Sequence, residues 1–222
     1  MRASDRAYRK LLDEIVGGEL PSGTVLGEVE QSERLGVSRT PLREAFNRLV
    51  ADGMLDAEPG RGVVVSQLSL KTVTELYEVR EGLEEQAARL AAQRADREVF
   101  KKLWDEFENS KSLILGGEIG ANIFYTLNAK FDDAIDEAIQ NPYMVATLKN
   151  VRTHMSRVRR LARSNPARLL EAANETQLIV EAIATGDAAL AAHATHVHLH
   201  KSHSRVSAAV REQLAKINKE VA

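Results

Sequence analysis

Arg39, Arg43 and Asn47 stand four residues apart in the segment "GVSRTPLREAFNRL", residues 36–49, so a helix would set all three on one face. A guanidinium group is planar and carries five donors, and two of them can grip a guanine edge in parallel. Ser38 and Thr40 open the same segment. Their hydroxyls can accept hydrogen bonds from the unpaired amides of a helix's first turn, and those groups together suit phosphate oxygens. Farther along, Arg61 stands between two glycines in "EPGRGVVV", as a wing tip that must approach a sugar–phosphate backbone closely would need. The chemistry on offer is base reading and phosphate binding.

Such side chains need a scaffold to aim them. Leu42, Ala45 or Phe46, and Leu49 make an apolar stripe on the other side of the same helix. A short helix is predicted just before it, over Glu28 to Leu35, stopped at Gly36; Pro41 then falls in the first turn of the arginine helix, where a missing N–H costs little. Two helices joined by a short glycine turn, the second presenting arginines near its start, form the geometry that places a helix in the major groove. Ahead of them Ala7, Tyr8, Leu11, Leu12 and Ile15 predict another helix, ended by "GGELPSG". Behind them Met54 and Leu55, a Pro-Gly-Arg-Gly turn, and Val63 to Val65 predict a two-stranded hairpin.

From Leu68 on, no strand signal appears. Ser69 is placed to cap a long helix carrying Val73, Leu76, Val79, Leu83, Ala87 and Leu90 at helical period, and further helices are predicted over 96–115, 119–138, 142–163, 167–185 and from 187 to the end. The expected organisation is therefore residues 1–68 as one domain and 69–222 as an all-helical second one.

Composition bounds the function classes. The 222 residues are 44% hydrophobic and 5% aromatic, as packed helices are. Without cysteine there is neither a disulfide framework nor a thiolate metal site, which suits a reducing cytoplasm. Charged residues break up any apolar start and no apolar run is long enough for a bilayer, so neither a signal peptide nor a membrane partner is expected. A net charge of -2 provides no general pull on polyanions, so DNA binding must come from local clustering. No Gly-rich phosphate loop, nucleophilic serine elbow or His-Glu-x-x-His segment is present, and no enzyme is expected.

The run "GTVLGEVEQSERLGVSRTPLREAFNRLVADGMLDAEPGRGVVV" resembles the winged helix-turn-helix domain of GntR-type bacterial transcription regulators in order, spacing and residue type. The resemblance implies that Arg39, Thr40 and Arg43 face an operator, with Ser38 beside them and Arg61 and Gly62 at the wing. Gln31 and Ser32 stand where the family usually has a Leu-Ala pair, which predicts weaker packing of the second helix; Val29 stands where some members place an arginine for DNA. The rest of the chain, through "LYEVREGLEEQAARLAA", "NAKFDDAIDEAIQNPYM" and "GDAALAAHATHVHLH", is similar to the FadR-type, or FCD, effector domain, an antiparallel helical bundle.

Many members of that family hold a metal with an aspartate and three histidines. Here Asn128 replaces the aspartate, Asp132 the first histidine and Thr176 the second, leaving His198 as the matching ligand. That set is poor for zinc or nickel, so no cofactor is required; a harder divalent ion on Asp132 and His198, completed by water, is the alternative. The resemblance turns Arg80, Asn128, Asp132, Thr176 and His198 toward one cavity, where a small organic acid could pair with Arg80. Arg80 could instead simply pair with Glu84. His198 is predicted to point inward and His193, His196, His200 and His203 outward. The basic run from Lys149 to Arg163 reads as a solvated helix, from which Arg152 or Arg159 could join an anion pocket.

The expected function is a cytoplasmic, homodimeric DNA-binding transcription regulator, a repressor, acting on a near-palindromic double-stranded operator under control of that acid. A metal-dependent small-molecule hydrolase or a metal-responsive regulator is the alternative.

Overall fold

Glycines punctuate the N-terminal region. In the computed structural model, which describes residues 1–60, 62–161 and 166–221, the order there is α1 (Ala3–Gly17), β1 (Val25–Leu26), α2 (Glu28–Leu35), α3 (Arg39–Ala51), β2 (Leu55–Glu58) and β3 (Gly62–Val65). Arg61 and Arg163 lie outside the described residues, as do the side chains at 161, 213, 214 and 216–221. Gly36 ends α2 in the left-handed conformation, φ 62°, and the Val37 amide then reaches back to the Ser32 carbonyl at 3.1 Å. That pair of features closes the helix and turns the chain into α3 within three residues.

Ser38 holds the N-cap position of α3 in extended geometry, but its hydroxyl makes no capping bond. Pro41, the third residue of the helix, has no N–H and so removes one of the two amides, at positions 40 and 41, that could have served that hydroxyl.

The core of this region is built from Leu11 and Ile15 of α1, Leu26 of β1, Leu42, Phe46 and Leu49 of α3, and Met54, Leu55 and Val65 of the sheet. The sheet order is β1-β3-β2, all antiparallel, with Val25 opposite Val64 and Leu55 opposite Val65. A hairpin alone was expected. At two residues β1 is too short to show alternation, yet it makes β3 the middle strand, paired on both sides.

Gln31 does not leave α2 loosely held. Glu14 of α1 is buried, and Arg34 of α2 donates to both its oxygens, at 2.6 and 2.7 Å, while the Arg34 Nε donates to the Gln31 side-chain oxygen at 2.8 Å. A polar clamp thus stands where weaker packing was expected. The bonds from Arg34 outweigh burial and, helped by Lys10, hold the Glu14 carboxyl below its ordinary value of 4.5. A depressed folded value adds stability that is fully present above the unfolded one and is lost as pH falls through the folded one. Glu14→Gln should therefore cost about 1–2 kcal/mol near neutrality, and the difference from the parent should vanish in acid. Denaturant unfolding of the full chain at both pH values measures this; an equal deficit in acid would contradict it.

By backbone contacts the chain divides into two compact units, Met1–Ser69 with Arg152–Val158, and Leu70–Val151 with Arg159–Ala222. Within the first, Arg157 is only 4% exposed and donates to the Ser66 carbonyl at 2.6 Å and to the Ser66 hydroxyl at 2.8 Å. Part of the basic run is therefore buried, not solvated.

The second unit is built from helices: α4 (Leu70–Arg94), α5 (Arg97–Ile114), α6 (Gly117–Ile139), α7 (Pro142–Leu161, of which Arg152–Val158 group with the first unit), α8 (Pro166–Thr185) and α9 (Ala188–Val221). Asp96 and Asp187 cap α5 and α9, accepting from the Glu98 amide and from the Ala189 and Leu190 amides. Its core combines Phe100, Phe107, Phe124, Leu148 and Ile183 with alanines 87, 88 and 91 of α4 and 191 and 194 of α9. Small side chains let those two long helices approach closely. No described helix is long and apolar enough to cross a membrane.

Candidate nucleic-acid interface and effector pocket

Helix α3 separates its two tasks by face. Leu42, Ala45, Phe46 and Leu49 are each at most 3% exposed, whereas Arg39, Thr40, Arg43 and Asn47 lie open to solvent. On a further side, Arg48 donates to Asp5 at 2.9 Å and covers the Tyr8 ring at 4.1 Å, which locks α3 to α1. The arginine face is therefore carried by a helix fixed on two other sides. At the wing, Gly60 and Gly62 have φ of 81° and 88°, a backbone that side chains with a β-carbon rarely adopt. Gly62 is opposite Glu58, the rung of the β2–β3 ladder farthest from Leu55 and Val65.

Arg43 has a partner the sequence reading missed. Its Nε and Nη2 donate to the two carboxylate oxygens of Glu28, both at 2.8 Å. These bonds, then the charges of Arg43 and Arg39, hold the Glu28 carboxyl below its ordinary value. Glu28 is the first residue of α2, fifteen positions away. Only the tight turn at Gly36 brings it beside α3, so no spacing rule within one helix could have found it.

In the helical unit, Arg80 is 13% exposed at its side chain and pairs with Glu84, through Nε at 2.7 Å and Nη2 at 3.2 Å. It also lies over the Tyr77 ring at 4.8 Å. Burial opposes its charge, but Glu84, Tyr77 and Asp132 outweigh burial and raise its pKa above the ordinary value. Arg159 covers the Tyr125 ring at 5.9 Å; burial and then the Arg80 charge lower its pKa, with Asp132 opposing. Arg168 is lowered by burial and then by Arg205, against Tyr77 and Tyr125. Arg80 over Tyr77 and Arg159 over Tyr125 thus act on each other's charge and both respond to Asp132, while Arg168, which the sequence reading missed, responds to both tyrosines.

The other expected pocket residues are engaged locally. Asn128 Nδ2 donates to the Phe124 carbonyl at 3.0 Å and the Thr176 hydroxyl to the Ala172 carbonyl at 3.0 Å, each within its own helix. His198, 16% exposed, pairs through Nδ1 with Glu175 at 3.1 Å, and Glu175 also takes Lys201 and Arg205. The Asn128 amide nitrogen and the Thr176 hydroxyl are thus turned to backbone carbonyls, and among the described residues no three His, Asp or Glu side chains are grouped to hold an ion. His203 departs from the expected outer row. It stacks on Tyr77 at 4.7 Å, while Tyr77 shares a 2.7 Å hydrogen bond with Ser202.

Residues 3–65 match the family model described as bacterial regulatory proteins, gntR family, and residues 75–201 match the FCD domain. The chain is 32% identical over 186 residues to the "Probable D-xylose utilization operon transcriptional repressor" of Paenarthrobacter nicotinovorans, covering 84% of this chain and 80% of that one. It is 37% identical over 130 residues to the "Nta operon transcriptional regulator" of Aminobacter aminovorans, covering 58% of this chain and 60% of that protein. Among solved structures, E. coli McbR/YncC superposes with a TM-score of 0.73 over 93% of this chain and 97% of its own, at 22% identity, a likeness that bears on the fold.

Proposed function

This chain belongs to the GntR family of bacterial regulatory proteins and carries an FCD domain, and from that premise we propose that it is an operator-binding repressor released or tightened by a small organic acid. It is a transcription regulator, as its relatives are, not an enzyme. The observation that carries the finer reading is the division of α3 into a buried stripe and an exposed face bearing Arg39, Thr40 and Arg43. Ser38, with its hydroxyl free of a capping role, and the first-turn amides would meet phosphates. Arg61 and Gly62 would bring the wing to the backbone. One short helix reads few base pairs, so a homodimer on a near-palindromic duplex in the cytoplasm is the working assembly.

For the effector, the support is the pair of arginines beside Tyr77 and Tyr125. Burial and then the Arg80 charge lower the pKa of Arg159, and a carboxylate bound near both would relieve that repulsion. Effector control requires that the acid bind two arrangements with different affinity. No observation favours the hydrolase or metal-responsive reading.

Gel-shift titration across salt tests the proposal. A duplex selected by the protein from a random pool should bind far more tightly than a scrambled one, with affinity falling steeply as salt rises. Equal binding of both duplexes would reject it.

A further inference from the structure

The Glu28–Arg43 pair is more than a surface ion pair because of which donors it uses. A guanidinium has one hydrogen on Nε and two on each terminal nitrogen. Glu28 takes the Nε hydrogen and one on Nη2, both at 2.8 Å. What remains is the end-on fork of Nη1 and Nη2. That fork fits the O6 and N7 acceptors of guanine.

We propose that Glu28 is a specificity-determining residue: it clamps the side edge of Arg43 so that only the end-on fork can meet DNA, which commits Arg43 to guanine and withholds it from phosphates. The inference rests on the operator-binding reading above. Three features favour it. The clamp is bidentate, so it sets the plane of the guanidinium as well as its position. Its carboxylate comes from a different helix, α2, fastened to α1 by the Glu14–Arg34 clamp, so it does not travel with the Arg43 side chain. A carboxylate bonded to Arg43 on this exposed face also repels phosphate oxygens, so it weakens contacts that carry no sequence information.

The test uses the full-length protein, a duplex selected from a random pool by the parent, and a scrambled duplex of the same composition. Glu28→Gln should tighten binding to the scrambled duplex, steepen its salt dependence by about one phosphate contact, and cut the ratio of selected to scrambled affinity about tenfold. Reselection with Glu28→Gln should lose preference for guanine at one position in each half-site. In an Arg43→Ala background the same change should leave the ratio unaltered. An unchanged ratio in the otherwise normal protein, or an equal fall without Arg43, would overturn the proposal while leaving operator binding standing. If the parent itself fails to discriminate, the operator-binding reading falls, and this one with it. Both side chains are exposed, so thermal unfolding should be nearly the same for all variants.

Discussion

Arg43→Ala should weaken binding to the selected duplex by about 1–3 kcal/mol, roughly 5- to 150-fold, while binding to a scrambled duplex changes far less. The expected loss has two parts. The bidentate contact to a base edge disappears, and Glu28 is left facing the DNA without the guanidinium that had neutralised it. Glu28→Gln added to Arg43→Ala should therefore restore some affinity for both duplexes equally. Arg43→Lys separates charge from shape: a lysine keeps the attraction to phosphates but has no fork, so discrimination should fall even where total affinity persists. Quantitative gel shifts at fixed salt measure each case. Equal binding by Arg43→Ala and parent would remove Arg43 from the interface.

The second large effect is expected at Arg80. Arg80→Ala should abolish the response to effector and leave unliganded DNA binding intact. In the folded protein the Arg80 charge offsets Glu84 and Asp132. Its removal takes away the principal carboxylate partner and tips the local balance toward the two acids, so the expected cost in ligand affinity is about 2–5 kcal/mol. The practical experiment is a thermal-shift screen of small mono- and dicarboxylates, followed by gel shifts with any that stabilise the parent. Those compounds should no longer shift the variant or alter its DNA binding. A preserved response would take Arg80 out of the pocket.

What the amino-acid order displayed most clearly was periodicity. The stripe Leu42, Phe46 and Leu49 is buried and Arg39 and Arg43 are exposed because both faces obey one helical repeat, and α3 is held on enough sides that nothing overrides it. Pairings across distant sequence were harder to see. Nothing in the local order says that Glu28 meets Arg43 or that Glu14 meets Arg34, since those contacts exist only after the Gly36 turn and the α1–α3 packing are formed. β1 escaped notice for a related reason, being strand only by virtue of β3. Competition at single positions accounts for the rest. Ser38 sits where a cap belongs, but Pro41 withholds one of the two donors. His203 lies on the stripe predicted to be solvated, and the Tyr77 ring draws it into a stack. The Arg80–Glu84 pair was one of two alternatives for Arg80; it is formed, through Nε and Nη2 of the guanidinium.

The joint between α1 and α2 has a thermal consequence. Dehydrating ions becomes less costly as temperature rises, whereas apolar burial gains little more. A joint made of Glu14, Arg34 and Gln31 in place of leucine should therefore soften less on warming than the apolar contacts around it, keeping the start of α2 in register until the whole domain melts.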